Sequence, residues 1–129
     1  HVVMGQSHDV QAACDVALVA SGTATLETAL HKRPMVIAYK MQWLSWQIAN
    51  RKRLLPWVGL PNILCNESLL PEFLQEEVQP DALAQAVLRW LDDPDAVAHI
   101  QQRFSELHLQ LRQDMPTLAT HAIQKVLAR

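Results

Sequence analysis

The chain has 129 residues, which is enough for one domain and leaves little room for a second. Half of the residues are hydrophobic, so a packed core is expected, and 11 basic against 13 acidic residues give a net charge of -2. This near balance provides no electrostatic footprint for nucleic acid, and the composition does not indicate a disordered chain.

Three apolar runs in the first third of the chain predict β-strands, with helices between them. The strands are expected at 2–5, 16–20 and 35–39, and the helices at 9–15 and 23–32. The second run lacks polar alternation, which is typical of a parallel strand covered on both faces. The order β-α-β-α-β favours a doubly wound α/β layer.

The remainder of the chain is predicted to be mostly helical. Helices are expected at 44–53, at 68–76, from Pro80, from Pro94 and at 117–127, with a short extended piece at 61–64. Asp93 is the expected N-cap of the helix that begins at Pro94. Because three strands are few for a stable sheet, we expect residues 1–129 to be a single domain of a longer protein.

The cysteines and histidines give no sign of a metal or redox site. Cys14 and Cys65 are far apart and are interpreted as two reduced, buried thiols of a cytosolic protein. The six histidines show no metal-ligand spacing, and no cofactor is predicted. No stretch approaches the roughly 20 apolar residues that a membrane-spanning helix needs.

The most informative segment joins the end of the second predicted strand to the helix that follows it. It contains Ser21, Gly22, Thr23 and Ala24. Ligands of open α/β sheets lie at the carboxyl ends of strands, and the free amides and dipole of a helix start favour an anion such as a diphosphate. Gly22 allows a phosphate to approach the backbone closely, and the hydroxyls of Ser21 and Thr23 add donors.

Glu27 supplies the second half of a predicted nucleotide site. It lies four residues after Thr23, on the same helix face, where its carboxylate can accept hydrogen bonds from the two vicinal hydroxyls of a ribose. The alternative is that Ser21 is only an N-cap and that the small residues only permit tight packing. A capping box anchored on Ser21 would have Glu or Gln at position 24, where Ala24 stands, so this alternative leaves Glu27 unexplained.

These residues belong to a longer pattern that resembles the GT-B glycosyltransferases, and most closely the lipid-A-disaccharide synthases. The resemblance is carried by 21–27 (SGTATLE), 32–36 (KRPMV), 39–41 (YKM), 60–64 (LPNIL), 70–77 (LPEFLQEE) and 104–108 (FSELH). It extends over essentially the whole chain.

The resemblance implies the C-terminal half of a GT-B enzyme: a Rossmann-like parallel sheet flanked by helices, with a helical C-terminal part. It implies an inverting transfer from UDP-2,3-diacylglucosamine to 2,3-diacylglucosamine 1-phosphate (lipid X), which gives UDP and lipid A disaccharide 1-phosphate. The segment from Ser21 to Ala24 would bind the diphosphate and Glu27 the ribose. Asn62 matches a polar position near the donor sugar or phosphate.

The same resemblance implies that no metal is needed, because helix-start amides and basic side chains stabilise the leaving UDP. It also implies that the general base and the acceptor site lie in an N-terminal half that these residues do not include. No catalytic residue is therefore assigned in this chain.

Two other function classes stay open. One is another UDP-sugar enzyme of the GT-B fold, of the peptidoglycan glycosyltransferase or UDP-GlcNAc 2-epimerase type, although the segment 60–64 argues against both. The other is a non-catalytic module for packing or for dimerisation, in which a homodimer would form through the helical C-terminal part.

The segment that contains Trp43 and Trp46 ends in a basic cluster at 51–53, and it allows two interpretations. Amphipathic aromatic residues beside basic ones can dock on an anionic membrane surface. The favoured interpretation is a core helix with a solvated basic end, because tryptophans at helical spacing are usually packed. The expected location is the cytoplasm, either free or peripheral on the inner membrane.

Overall fold

The computed structural model describes residues 1–20, 22–51 and 55–128. Its elements, in chain order, are α1 (Ser7–Ala13), β1 (Ala17–Ala20), α2 (Thr23–Leu30), β2 (Met35–Tyr39), α3 (Trp43–Arg51), α4 (Leu60–Cys65), β3 (Glu72–Leu74), a 3-10 turn (Gln75–Glu77), α5 (Pro80–Asp92), α6 (Pro94–Leu111) and α7 (Met115–Leu127).

The three strands form one parallel sheet in the order β1-β2-β3, flanked by helices. Met35, Val36 and Ile37 of β2 have no exposed surface. Since neighbouring residues of a strand point to opposite faces, β2 is covered on both faces at this level. The predicted fold class, a Rossmann-like α/β arrangement, is confirmed.

Strand β1 lies at an edge of the sheet, and β2 is its only partner among the described residues. Its residues are alternately half-buried and exposed, and Leu18 has 56% of its surface exposed. The expectation that this strand is covered on both faces is therefore wrong for the part of the chain described.

Three element predictions were wrong. Residues 2–5 form no strand, and Val2 is 92% exposed, because an apolar run does not make a strand without a neighbour to pair with. Residues 61–64 belong to α4, which has Pro61 in its first turn and ends at Asn66 in the left-handed conformation. Part of 68–76 is β3, because Phe73 pairs with Ala38 of β2.

The remaining helices and strands lie close to their predicted positions. The predicted cap is confirmed, since a carboxylate oxygen of Asp93 accepts from the amide of Ala96 at 2.9 Å. On α6, Ile100 and Phe104 are buried, whereas Leu111 is 39% exposed.

The core joins α2 and α6 to the sheet. It consists of Ala29, Met35, Ile37, Leu70, Ile100 and Phe104. Trp90 of α5 packs against this cluster and donates its indole N–H to the carbonyl of Met35 at 3.2 Å. Helix α7 has no buried residue, and the two cysteine thiols, expected to be buried, are only half-buried.

Within the described ranges, no helix has the combined length and apolar character that crossing a bilayer would require.

We predict that Phe104→Ala lowers the free energy of unfolding by about 3–5 kcal/mol, because it removes a fully buried aromatic ring and leaves a cavity. Urea denaturation measures the effect. Leu109→Ala, on the same helix but 69% exposed, is the control and should change stability by less than about 0.5 kcal/mol. Equal losses in the two variants would contradict this description of the core.

Candidate functional site

The carboxyl ends of all three strands meet at one edge of the sheet, because the strands are parallel. Helix α2 begins at this edge, and Gly22 is its N-cap, with φ 128° and ψ -160°. Residues that have a side chain rarely adopt this backbone conformation, so the turn requires glycine. Apart from the two chain neighbours, no described residue has an atom within 4 Å of the place where a Cβ of residue 22 would stand, so the space beside the turn is open to that extent.

The first turn of α2 presents free amides to this space. The N–H groups of Thr23 and Ala24 have no intrahelical acceptor, and the N-cap provides no side-chain hydrogen bond. Thr23 is exposed and Ala24 is half-buried. Ser21, predicted to add a hydroxyl to the same turn, lies outside the described residues.

Glu27 lies one turn further along α2 and is half-buried. Its carboxylate forms no hydrogen bond or ion pair with any described residue, so its acceptor positions are available to a ligand. Thr23, Ala24 and Glu27 therefore lie on one helix. The start of this helix is open at the edge of the sheet where the carboxyl ends of the strands meet.

Thr25 stabilises the turn from its buried side. The sequence analysis did not identify this role. Thr25 has no exposed surface, and its hydroxyl donates to the carbonyl of Gly22 at 2.7 Å. The same oxygen accepts from the amide of Leu60 at 3.3 Å. Thr25 thus connects the start of α4 to the start of α2. Its position in the first turn of a predicted helix was the sequence feature that could have indicated this role.

Asn62, predicted to lie near the donor sugar or phosphate, has no exposed surface. Its amide nitrogen donates to the carbonyl of Leu70 at 3.0 Å and to a carboxylate oxygen of Glu72 at 2.8 Å, and its oxygen accepts from the amides of Leu69 and Leu70. These bonds use the amide fully, which gives Asn62 a structural role. Its contact with a donor stays a prediction, and it would require one of these bonds to be released.

Glu72 is the second member of this polar cluster and was also missed. One carboxylate oxygen accepts from the amide of Val58 at 2.7 Å, and the other accepts from the amides of Gly59 and Asn62. A Cβ at residue 59 would lie 2.3 Å from the end of the Ile37 side chain and 3.0 Å from a carboxylate oxygen of Glu72, so a larger residue there would have to displace these side chains. The cluster fixes the segment before α4 against the sheet.

The segment after β3 is joined to the segment after β2 through one side chain. The oxygen of the Gln75 amide accepts from the backbone N–H of Met41 at 2.7 Å, and its nitrogen donates to the Met41 carbonyl at 3.1 Å. Glu77 accepts from the amide of Leu74, and Glu76 is exposed. The family resemblance implies that either Glu76 or Glu77 lies near the donor pocket, and this stays a prediction.

Two other properties of the described surface bear on the location of a site. A groove of about 460 Å³ between α1 and β1 is lined by residues that include Val10, Gln11 and Leu18, and by none of the predicted site residues. In the described ranges, no group of three or more His, Cys, Asp or Glu side chains could hold a metal ion.

A parallel sheet with an open, glycine-capped helix start at its carboxyl edge defines a Rossmann-like unit of the kind that forms half of a GT-B glycosyltransferase. The profile of the family described as Lipid-A-disaccharide synthetase matches residues 1–126. The chain is 61% identical to the lipid-A-disaccharide synthase of Albidiferax ferrireducens over 98% of its length, 51% identical to that of Verminephrobacter eiseniae over 98%, and 50% identical to that of Neisseria meningitidis over 95%.

The chain therefore belongs to the lipid-A-disaccharide synthetase family, a family of bacterial glycosyltransferases that act in lipid A biosynthesis. The matched segments make up 33%, 34% and 32% of these three relatives, so the chain spans about a third of their length.

We predict that Glu72→Gln destabilises the protein by about 1–3 kcal/mol. Both carboxylate oxygens accept hydrogen bonds, so the amide group of glutamine would place an N–H against a backbone N–H and leave that donor unsatisfied. Urea denaturation measures the loss. Glu76→Gln, the same change at an exposed position on the adjacent turn, should be nearly neutral. A neutral Glu72→Gln would exclude the structural role.

Proposed function

We propose that this chain is the donor-binding domain of an inverting glycosyltransferase that uses UDP-2,3-diacylglucosamine and lipid X. The observation that carries the proposal is the open first turn of α2, where amides without a side-chain cap lie one helical turn from the carboxylate of Glu27, which pairs with no described residue. Membership in the synthetase family supports the substrate class.

In this proposal the diphosphate of the donor lies against the amides of Thr23 and Ala24, beside Gly22. The hydroxyl of the acceptor attacks the anomeric carbon from the face opposite UDP, the bond to UDP breaks, and the α-linked donor gives a β-linked product. Negative charge grows on the departing diphosphate, and amides fixed at a helix start stabilise it without reorganisation. The proton of the hydroxyl passes to a base outside the assigned residues.

Glu27 would hold the ribose of the same ligand. A carboxylate accepts two hydrogen bonds from vicinal hydroxyls, and it is ready to do so because no described residue occupies it. Since the chain spans about a third of its relatives, we expect it to bind UDP weakly by itself and to need the remaining two-thirds for transfer.

We predict that Glu27→Ala in the full-length protein weakens UDP binding about 10- to 100-fold, which corresponds to roughly 1.4–2.8 kcal/mol for bonds to a charged acceptor. Titration calorimetry measures the affinity. The unsubstituted protein should prefer UDP over 2′-deoxy-UDP, and the variant should lose this preference.

Asp81→Ala, which removes an exposed carboxylate from the first turn of α5, is the matched control and should bind UDP normally. An unchanged calorimetric signal in Glu27→Ala, or no signal for the intact protein, would count for the non-catalytic alternative. In that case the chain would serve packing or homodimer formation through its C-terminal helices. Activity with the donor of another UDP-sugar enzyme would favour the related GT-B enzymes.

A second proposal concerns the membrane. Trp43, at the start of α3, is 66% exposed, so the expectation that it is packed in the core is wrong, whereas Trp46 is half-buried. Arg51 is exposed at the other end of the same helix, and residues 52 and 53 lie outside the described ranges. We propose that α3 contacts the cytoplasmic face of the inner membrane, where the lipid substrates are found.

We predict that Trp43→Ala reduces sedimentation of the full-length protein with anionic vesicles several-fold and has little effect with zwitterionic ones, because an interfacial ring acts together with adjacent cations. Leu109→Ala removes an exposed apolar side chain from α6 and is the control. Unchanged sedimentation of Trp43→Ala would end this proposal.

A further inference from the structure

Gln75 has two unusual features that occur together. Its φ of 52° puts a residue other than glycine in the left-handed region, which is uncommon and is often found at functional sites. Its side-chain amide also bonds both backbone groups of Met41, at 2.7 and 3.1 Å. The last backbone pair between the two strands is Tyr39 with Leu74. The Gln75 amide therefore extends the connection between β2 and β3 beyond the end of the sheet.

This connection fixes the segment that leaves β2 and enters α3. Lys40, in that segment, is exposed. Because Ala20 pairs with Ala38, the chain that leaves β2 runs beside the chain that leaves β1, where Gly22 opens α2. By this register, Lys40 and Gly22 each lie two residues beyond the pair Ala20 and Ala38, at the same edge of the sheet.

We propose that Gln75 is a positioning residue of the donor site: by holding Met41, it keeps Lys40 beside the Gly22 turn, where the ammonium group neutralises the diphosphate of a nucleoside diphosphate sugar. This inference rests on the proposed function and adds a cation to the helix-start amides. An ammonium group suits this role because it has no acceptor and three donors. The part of Gln75 is indirect, since it acts through Met41 and Lys40.

The test compares ligands that differ only in the number of phosphates. In the full-length protein, calorimetry gives the affinities for UDP and for UMP in Lys40→Gln, Gln75→Ala and Gln75→Gly. Glycine accepts a positive φ, so Gln75→Gly removes the amide without imposing the backbone conformation on a residue with a Cβ. Gln79→Ala is the matched control, because it removes an exposed side chain whose one hydrogen bond to a described residue is with the carbonyl of Glu76.

We expect Lys40→Gln to weaken UDP binding about tenfold or more with little change for UMP. Both Gln75 variants should show the same loss selective for UDP, to a smaller extent, and Gln79→Ala should be unaffected. The double variant Lys40→Gln with Gln75→Ala should bind UDP no more weakly than Lys40→Gln alone, because both changes remove the same interaction, the one between Lys40 and the diphosphate.

Three results would overturn the inference while leaving the donor site intact. Equal losses for UDP and UMP in the Gln75 variants would assign Gln75 a structural role only. Normal UDP binding by Gln75→Gly beside a loss in Gln75→Ala would assign the effect to backbone conformation. Additive losses in the double variant would separate Gln75 from Lys40. Failure of the unsubstituted protein to bind UDP would instead overturn the proposed function, and this inference with it.

Discussion

The carboxylate of Glu72 is the contact on which the arrangement of the site depends. Its two oxygens accept from the amides of Val58 and Gly59 and from the side chain of Asn62, so one residue of β3 joins the sheet to α4 and to the segment before it. Buried polar groups are costly unless all of them are paired, and a fully paired cluster specifies a single arrangement. Through Leu60 and Thr25, this arrangement extends to the turn at Gly22.

The buried part of the site is thus fixed by hydrogen bonds, whereas the part at the Gly22 turn is open. Thr25 has no exposed surface and anchors the turn, whereas no described residue other than a chain neighbour lies within 4 Å of the Cβ position of Gly22. Amides that are already oriented stabilise a growing negative charge without first having to turn toward it, which is the main electrostatic advantage of an enzyme over water. A helix start of this kind is common to many nucleotide-binding proteins. The turn alone therefore identifies no substrate, and the proposed lipid A precursors rest on membership in the synthetase family.

The sequence predicted the elements whose signal is local. Strand β2 and helices α2, α5 and α6 follow from apolar periodicity and caps, as Asp93 illustrates. The helix predicted at 68–76 was wrong because β3 forms by pairing with a strand about 35 residues earlier in the chain. No local sequence pattern indicates this pairing. The open turn was predictable from its small residues. Glu72 and Gln75 were not, because their partners lie 10 to 14 and 34 residues away. For Thr25 only the bond to Gly22 is local, and the bond from Leu60, 35 residues away, was not predictable.

The position of β1 at the edge of the sheet has a practical consequence for handling the protein. Within the described part of the chain, one side of β1 offers peptide N–H and C=O groups with no strand opposite them, next to the exposed side chain of Leu18. Such an edge is a template on which another extended chain can add. When produced as these 129 residues, the protein would therefore present an edge that another extended chain could join, and a charged residue in place of Leu18 would disfavour such association.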